Sequence, residues 1–266
     1  MSTQLSKGTA LITGASTGIG AVYADRLAKR GYDLILVARN QEKLSEVAAH
    51  LKHIGRSIEI LQADLTSPAD VRRVAERLSN DTSITGLINN AGVGSAGKLL
   101  NSKIDDLESM ISLNVTALTR LTLAAVPAFV ARKNGLVINI SSAVAFAPEM
   151  LNGTYSGSKA YVVNFTQALK AELEGTGVIV QAVLPGATST PFWDKAGVPV
   201  QHLPATIVMT PEKLVDASLA GLDQGEVITI PSLPDIADFQ ALETARKALG
   251  PNLSRNTPAK RYGITA

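Results

Sequence analysis

Seven short runs rich in apolar and β-branched residues, each followed by a longer stretch, limit what this chain can fold into more than any other feature. The runs are Thr9–Thr13, Asp33–Ala38, Ser57–Leu61, Ile84–Ile88, Gly135–Ile140, Val178–Leu184 and Glu226–Ile230. Several are almost continuously apolar, as strands covered on both faces must be. Between them, helical periodicity predicts helices near 18–30, 41–53, 68–79, 104–131 (as two helices), 155–174 and 211–223. Ser67-Pro68 and Thr210-Pro211 read as a cap followed by a first-turn proline, and Gly31 as a residue closing a helix. Alternation of this kind needs crossover connections, and these build one parallel sheet. No linker interrupts the pattern and no internal repeat is visible. The chain therefore reads as a single domain over 1–266, with a C-terminal extension at about 231–266: a Pro-rich turn, a short helix around 235–249 and a polar tail.

Composition narrows the function. Hydrophobic residues make up 45% and charged residues 18%, enough for a substantial core. The net charge of +2 argues against nucleic acid as a partner, because a phosphate-binding face shows a basic stripe. Arg246, Lys247, Arg255, Lys260 and Arg261 gather near the end and read as a solvated tail. The absence of cysteine excludes disulfides, thiolate nucleophiles and thiolate metal sites. His50 and His53 could share a helix face, but with no third ligand in view no metal site is expected. No secretory signal is recognised, and the apolar stretch Leu121–Ala131 is too short and too interrupted to span a bilayer. A cytoplasmic protein without a membrane partner is the expectation.

The stretch Leu11–Ala21, LITGASTGIGA, admits two readings. Gly14-Ala-Ser16-Thr-Gly18 matches the turn that presents a hydrolase's nucleophilic serine. Gly14, Gly18 and Gly20 also match a turn that cradles a dinucleotide. Position favours the second. A nucleophile turn follows several strands, whereas these glycines follow the first. A triad would also need a histidine after an acid, and His202 is the one late candidate. In the dinucleotide reading Gly14 permits the tight turn, Gly18 lets backbone approach a pyrophosphate and Gly20 lets the helix pack on the sheet. Ser16 and Thr17 would donate hydroxyl hydrogen bonds to phosphate.

Thr13-Gly14-Ala15-Ser16-Thr17-Gly18-Ile19-Gly20 resembles the TGxxxGxG pattern of the short-chain dehydrogenase/reductase family. Further matches follow in family order: Asn89-Asn90-Ala91-Gly92, Asn114, Ser142, the YxxxK pair Tyr155 and Lys159, and Pro185-Gly186 with Thr188 and Thr190. The resemblance covers about residues 7–230. It implies an α/β, Rossmann-like, doubly wound three-layer sandwich whose seven-stranded parallel sheet has the order 3-2-1-4-5-6-7. It also implies a homo-oligomer, dimer or tetramer, with the helices near 114–131 and 155–174 at the interface.

Tyr155 and Lys159 are one helical turn apart and project from one face. A free phenol has a pKa of about 10. Lowering it by about 3 units takes roughly 4 kcal/mol, and one ammonium about 4 Å away supplies that order of energy. Acid–base chemistry without histidine or metal is therefore expected. The resemblance assigns the roles: Tyr155 exchanges a proton with the substrate oxygen, Lys159 lowers its pKa and holds the cofactor ribose, Ser142 hydrogen-bonds the substrate oxygen and Asn114 positions a water relay. Gly157 stands where the family often has alanine. It is expected to make room for a close neighbour.

The expected cofactor is NADP(H), with NAD(H) the lesser alternative. NAD binders place an acid about 20 residues past the glycines. This chain has Ala38-Arg39 there, and a guanidinium pairs with a 2′-phosphate. Asp64 and Leu65 resemble the family's adenine contact. The remaining cofactor contacts fall on Gly14, Ser16, Thr17, Gly18, Ile19, Gly20, Asn90, Ala91, Gly92, Pro185, Gly186, Thr188 and Thr190. The resemblance further implies that Ser142, Val144, Phe146, Met150, Leu151, Tyr155, Phe192 and Trp193 line the substrate site, suiting a small apolar carbonyl compound or alcohol. Residues 191–211, with four prolines, could order over substrate as a lid. The reading is thus an NADP-dependent oxidoreductase acting on C=O or CH–OH groups. A dinucleotide-binding sensor without turnover is the alternative.

Overall fold

The computed structural model describes residues 7–95, 97–193, 197 and 199–264. Its strands are β1 (Thr9–Thr13), β2 (Asp33–Ala38), β3 (Ile58–Gln62), β4 (Ile84–Asn89), β5 (Gly135–Ile140), β6 (Val178–Val183) and β7 (Ile228–Thr229). They form one sheet in the order β3-β2-β1-β4-β5-β6-β7, and every pairing is parallel. β1 lies between β2 and β4, so the winding reverses there and leaves a crevice at the strands' C-terminal ends.

The helices among the described residues are α1 (Gly18–Lys29), α2 (Gln41–Leu51), α3 (Pro68–Asn80), α4 (Ile104–Ile111), α5 (Leu118–Ala131), α6 (Gly153–Glu172), α7 (Pro211–Asp223) and α8 (Ile236–Ala248). Tyr23 and Leu27 of α1, Leu44 of α2 and Leu214 of α7 pack into one core. Val74 of α3, Leu121 and Phe129 of α5 and Leu169 of α6 pack into the other. With a core on each face, all six residues of β5 are buried, which is why the strands read as continuous rather than alternating apolar runs. Ser67 accepts from Asp70 N and Thr210 from Lys213 N, each cap worth about 1 kcal/mol.

Two elements differ from expectation. The segment 104–131 was expected as two helices. A π turn, Ser112–Ala117, instead joins α4 to α5 in one 28-residue helix from Ile104 to Ala131. That continuity makes it long and apolar enough to cross a membrane, with an 18-residue window of mean hydropathy 1.5, which the run Leu121–Ala131 alone is not. Leu121, Ala125 and Phe129 are buried in the core on this face of the sheet, and a core helix meets the same criteria. β7 has two residues rather than five, because only Ala182 and Val183 of β6 pair with it.

Residue contacts divide the chain after Pro231 into two compact units, Met1–Pro231 and Ser232–Ala266. The second begins next to the start expected for the extension. Within it, Asp235 caps α8 by accepting from Ala237 N.

Candidate active site

The turn between β1 and α1 can be built only with glycine at its corners. Gly14 has φ +65° and Gly18 φ +55°, where a side chain is strained. A methyl group at Gly18 would lie 2.9 Å from Thr190 Cγ2, and one at Gly20 would run into the Gly14 carbonyl. Thr17 occupies the cap position of α1, but its side chain makes no capping bond, and the first turn of α1 carries no acid. The first-turn N–H groups therefore lack a side-chain acceptor and face no local negative charge, which suits an anion. Ser16, Thr17 and Ile19 are half-buried around this turn.

A second segment is fastened to the first. Thr13 Oγ1 donates to Ile88 O at 3.2 Å and accepts from Asn90 N and Ala91 N, both at 3.0 Å. Asn90 Nδ2 donates to Thr13 O at 2.9 Å and Gly14 O at 3.1 Å. Asn90, Ala91 and Gly92 are thereby held beside the glycine turn. At the end of β2, Arg39 is exposed, with Nη1 4.0 Å from Asp64 Oδ2. Asp64 Oδ1 accepts from Thr66 N and Oγ1, and Leu65 is buried. Past β6, Pro185 O accepts from Ala143 N at 2.8 Å, and Thr188 Oγ1 donates to Gly186 O at 3.1 Å.

Tyr155 and Lys159 sit in the first two turns of α6, 5% and 6% exposed. Lys159 Nζ lies 5.9 Å from the Tyr155 ring centroid and donates to Ile140 O at 2.9 Å. Ser142, just past β5, acts to lower the pKa of the Tyr155 hydroxyl, and its Oγ donates to Pro185 O and accepts from Val144 N, both at 3.4 Å. Asn114 lies in the π turn, where Oδ1 accepts from Val93 N at 3.0 Å and Nδ2 donates to Val93 O at 2.9 Å and Ser158 Oγ at 3.1 Å. A methyl group at Gly92 would stand 3.1 Å from Asn114 Oδ1 and 3.4 Å from Lys159 Nζ, so both side chains converge on that glycine. Asn114, Ser142 and the Tyr155–Lys159 pair, from three separate segments, thus meet at the C-terminal ends of β4 and β5.

The electrostatics depart from expectation. Burial pushes the Tyr155 phenol up to about 12, although Ser142 acts to lower it. Burial also pulls Lys159 down to about 8. The loss of water around both groups outweighs the ammonium's attraction for the phenolate.

On the substrate side, Val144, Leu151 and Phe192 pack with Tyr155, Leu107 and Met110, whereas Phe146 and Met150 are exposed. The Phe192 ring lies 5.9 Å from the Tyr155 ring and 5.7 Å from that of Trp193, whose Nε1 donates to Thr188 O at 2.9 Å. Of the expected lid, residues 194–196 and 198 lie outside the described residues. Gly157 has no close neighbour: nothing lies within 4 Å of a methyl group built there. Sequence reasoning missed the bracing role of Thr13, the Ile140 carbonyl and Gly94, where a methyl group would collide with the Phe192 ring. Thr13 stood within a recognised motif, but the other two carry no local signal.

A parallel sheet wound in this order, with an anion-binding glycine turn after its first strand, is a Rossmann-type dinucleotide-binding fold. More narrowly, the chain belongs to the short-chain dehydrogenase family of oxidoreductases: the family model "short chain dehydrogenase" matches residues 8–198. It is 39% identical to human 17-beta-hydroxysteroid dehydrogenase type 3 over 186 residues, which span 68% of this chain and 59% of that protein. A short-chain dehydrogenase from Sphingobium yanoikuyae, solved in complex with NADPH, superposes with a TM-score of 0.93 at 47% identity, covering 96% of this chain and 99% of that one. The bulky-bulky ketone specific alcohol dehydrogenase of Comamonas testosteroni superposes with a TM-score of 0.88 at 41% identity, covering 96% and 98%.

Proposed function

We propose that the protein is an NADP-dependent carbonyl reductase acting on ketones with bulky apolar substituents, and that Ser142, Tyr155, Lys159 and Asn114 form its site. The carrying observation is the convergence just described: a buried phenol beside a serine, a buried ammonium near the phenol ring, and that ammonium and Asn114 facing Gly92. The glycines fit a dinucleotide, because side chains at Gly14 and Gly18 would be strained and Gly92 leaves open the space that Asn114 and Lys159 face. Gly14, Gly18, Gly20 and the α1 N–H groups would hold the pyrophosphate, with Ser16 and Thr17 adding hydroxyls. Lys159 would hold the nicotinamide ribose, and Arg39, with no acid at Ala38, would face a 2′-phosphate. Asp64, Leu65, Thr188 and Thr190 complete the proposed contacts.

NADPH supplies the hydride when bound. Tyr155 donates its hydroxyl proton to the substrate oxygen, and Ser142 donates a hydrogen bond to the same oxygen as charge develops there. Lys159 stabilises the phenolate left behind, and Asn114 orders the path that reprotonates it. With Tyr155 held up to about 12 and Lys159 at about 8, both carry their protons at neutral pH, which favours reduction. The NADPH complex of the Sphingobium yanoikuyae relative and the ketone preference in the Comamonas testosteroni enzyme's name support the cofactor and substrate class.

The test is a panel of aryl and alkyl ketones with NADPH, followed by cofactor absorbance. Tyr155→Phe should abolish turnover, by about 10³-fold or more, while NADPH binding stays within a few-fold of the parent. A variant that retains turnover removes Tyr155 from the proposed role.

A further inference from the structure

Ser141, the residue after β5, is 3% exposed and is held from two sides. Its N–H donates to Val183 O at 2.7 Å, which carries the β5–β6 pairing one step past the end of β5. Its Oγ donates to Lys159 O at 2.7 Å, inside α6. A backbone carbonyl has two lone pairs, so the helix ladder leaves one for this hydroxyl. One buried side chain thus fastens α6, at the residue that carries the ammonium, to the ends of two paired strands.

The neighbours of Ser141 act on the same pair. Ile140 O accepts from Lys159 Nζ at 2.9 Å, so Lys159 is gripped at its backbone by one residue and at its ammonium by the residue before it. Ser142, next along, acts on the Tyr155 hydroxyl. A shift of the α6 backbone at Lys159 would move the ammonium relative to Ile140 O and to the space at Gly92 that it faces. Ser141 and Lys159 are both buried, so bulk water does not replace a lost bond there. Thr166 offers a contrast on the same helix. Its Oγ1 accepts from Asn139 Nδ2 of β5 and donates to Val162 O, a buried tie of helix to strand seven residues beyond Lys159.

We propose that Ser141 is a positioning residue of the reductase site: its hydroxyl fixes the α6 turn of Lys159 against the end of β5 and so sets the ammonium where it stabilises the Tyr155 phenolate. The inference rests on Lys159 having that role in the proposed reaction. Misplacing a catalytic group by about 1 Å can cost on the order of 100-fold in rate, so loss of this grip is read in kcat.

Three variants of the full chain test it. Ser141→Ala removes the donor, Ser141→Cys replaces it with a weak one, and Thr166→Val removes the tie away from the pair. With NADPH and propiophenone, kcat should fall about tenfold in Ser141→Ala and by less in Ser141→Cys, with KM for the ketone within twofold. The alkaline limb of the kcat–pH profile should move about one unit lower, since an ammonium that has lost the Ile140 carbonyl gives up its proton more readily. Thr166→Val should lower Tm but leave kcat within twofold and the limb in place. A readout without turnover is the pH at which Tm of the ligand-free protein starts to rise. It should drop by about one unit in Ser141→Ala, because the unfolded chain then keeps a proton that the fold has lost, and stay put in Thr166→Val. Equal kcat losses in Ser141→Ala and Thr166→Val, or an unmoved limb, mean a structural tie only and overturn the proposal. Should Ser141→Ala fail to fold, Ser141→Cys decides by the same readouts. A parent protein that does not reduce the ketone sinks the reductase reading, while the Tm profile still decides whether Ser141 sets Lys159, an unshifted rise counting against it.

Discussion

At Tyr155 burial raises the phenol's pKa and Ser142 acts to lower it, with burial prevailing, and at Lys159 burial lowers the ammonium's pKa. The sign of the consequence can be worked out. Lys159 titrates at about 8 in the fold and at 10.5 ordinarily, so between those values the unfolded chain holds a proton that the folded chain lacks. Stability therefore rises with pH across this window, by roughly 3 kcal/mol in all. Tyr155, raised from 10.0 to about 12, acts oppositely above pH 10, where the unfolded chain loses a proton that the fold retains. The Tm of the ligand-free protein should climb from pH 8 towards 10, and Lys159→Met should flatten that climb and raise Tm at pH 7. A parallel profile in the variant would show that Lys159 is not the group responsible. Gly94 gives a second residue-scale prediction. Gly94→Ala should displace the Phe192 ring from beside Tyr155 and change kcat/KM for bulky ketones about tenfold, with Kd for NADPH within twofold. The motif residues were legible because each is a residue type that its task demands. Gly94 was not, because its meaning depends on a ring far along the chain.

At the scale of elements, caps and strand runs were legible and continuity was not. Ser67 and Thr210 act locally, through a bond to a backbone N–H three residues on, so sequence suffices to see them. The π turn Ser112–Ala117 has no such mark. It places Asn114 where its amide clamps both the N–H and the C=O of Val93, a contact made only after β4 and α4 are in place. Asn114→Ala should accordingly lower both stability, by about 1–3 kcal/mol, and turnover, since it removes the partner of the Val93 N–H and C=O. Chemical denaturation and steady-state rates would separate the two losses. Gly157 gives the converse case. Its methyl position is open, so Gly157→Ala should stabilise α6 by about 1 kcal/mol and raise Tm, with activity preserved. A fall in Tm would mean that the glycine answers a need absent from the described contacts.

For the whole molecule, the outer faces of α5 and α6 carry Leu123, 62% exposed, and the stacked rings of Tyr161 and Phe165. We propose that the protein assembles as a homo-oligomer through these helices. Leu123→Glu should shift the mass measured by light scattering towards the monomer. An unchanged mass would move the interface elsewhere. The sequence by itself determined the strands, their parallel sheet and the glycine turn, because periodicity, backbone conformation and local capping are short-range properties of the chain, while the order of the sheet followed from the family resemblance. Only the tertiary structure decided the charge state of Tyr155 and Lys159, the seat of Phe192 at Gly94 and the grip of Ser141 on the Lys159 carbonyl. The reason is physical: desolvation and packing depend on which distant segments exclude water from a given atom, and no local stretch of sequence carries that information.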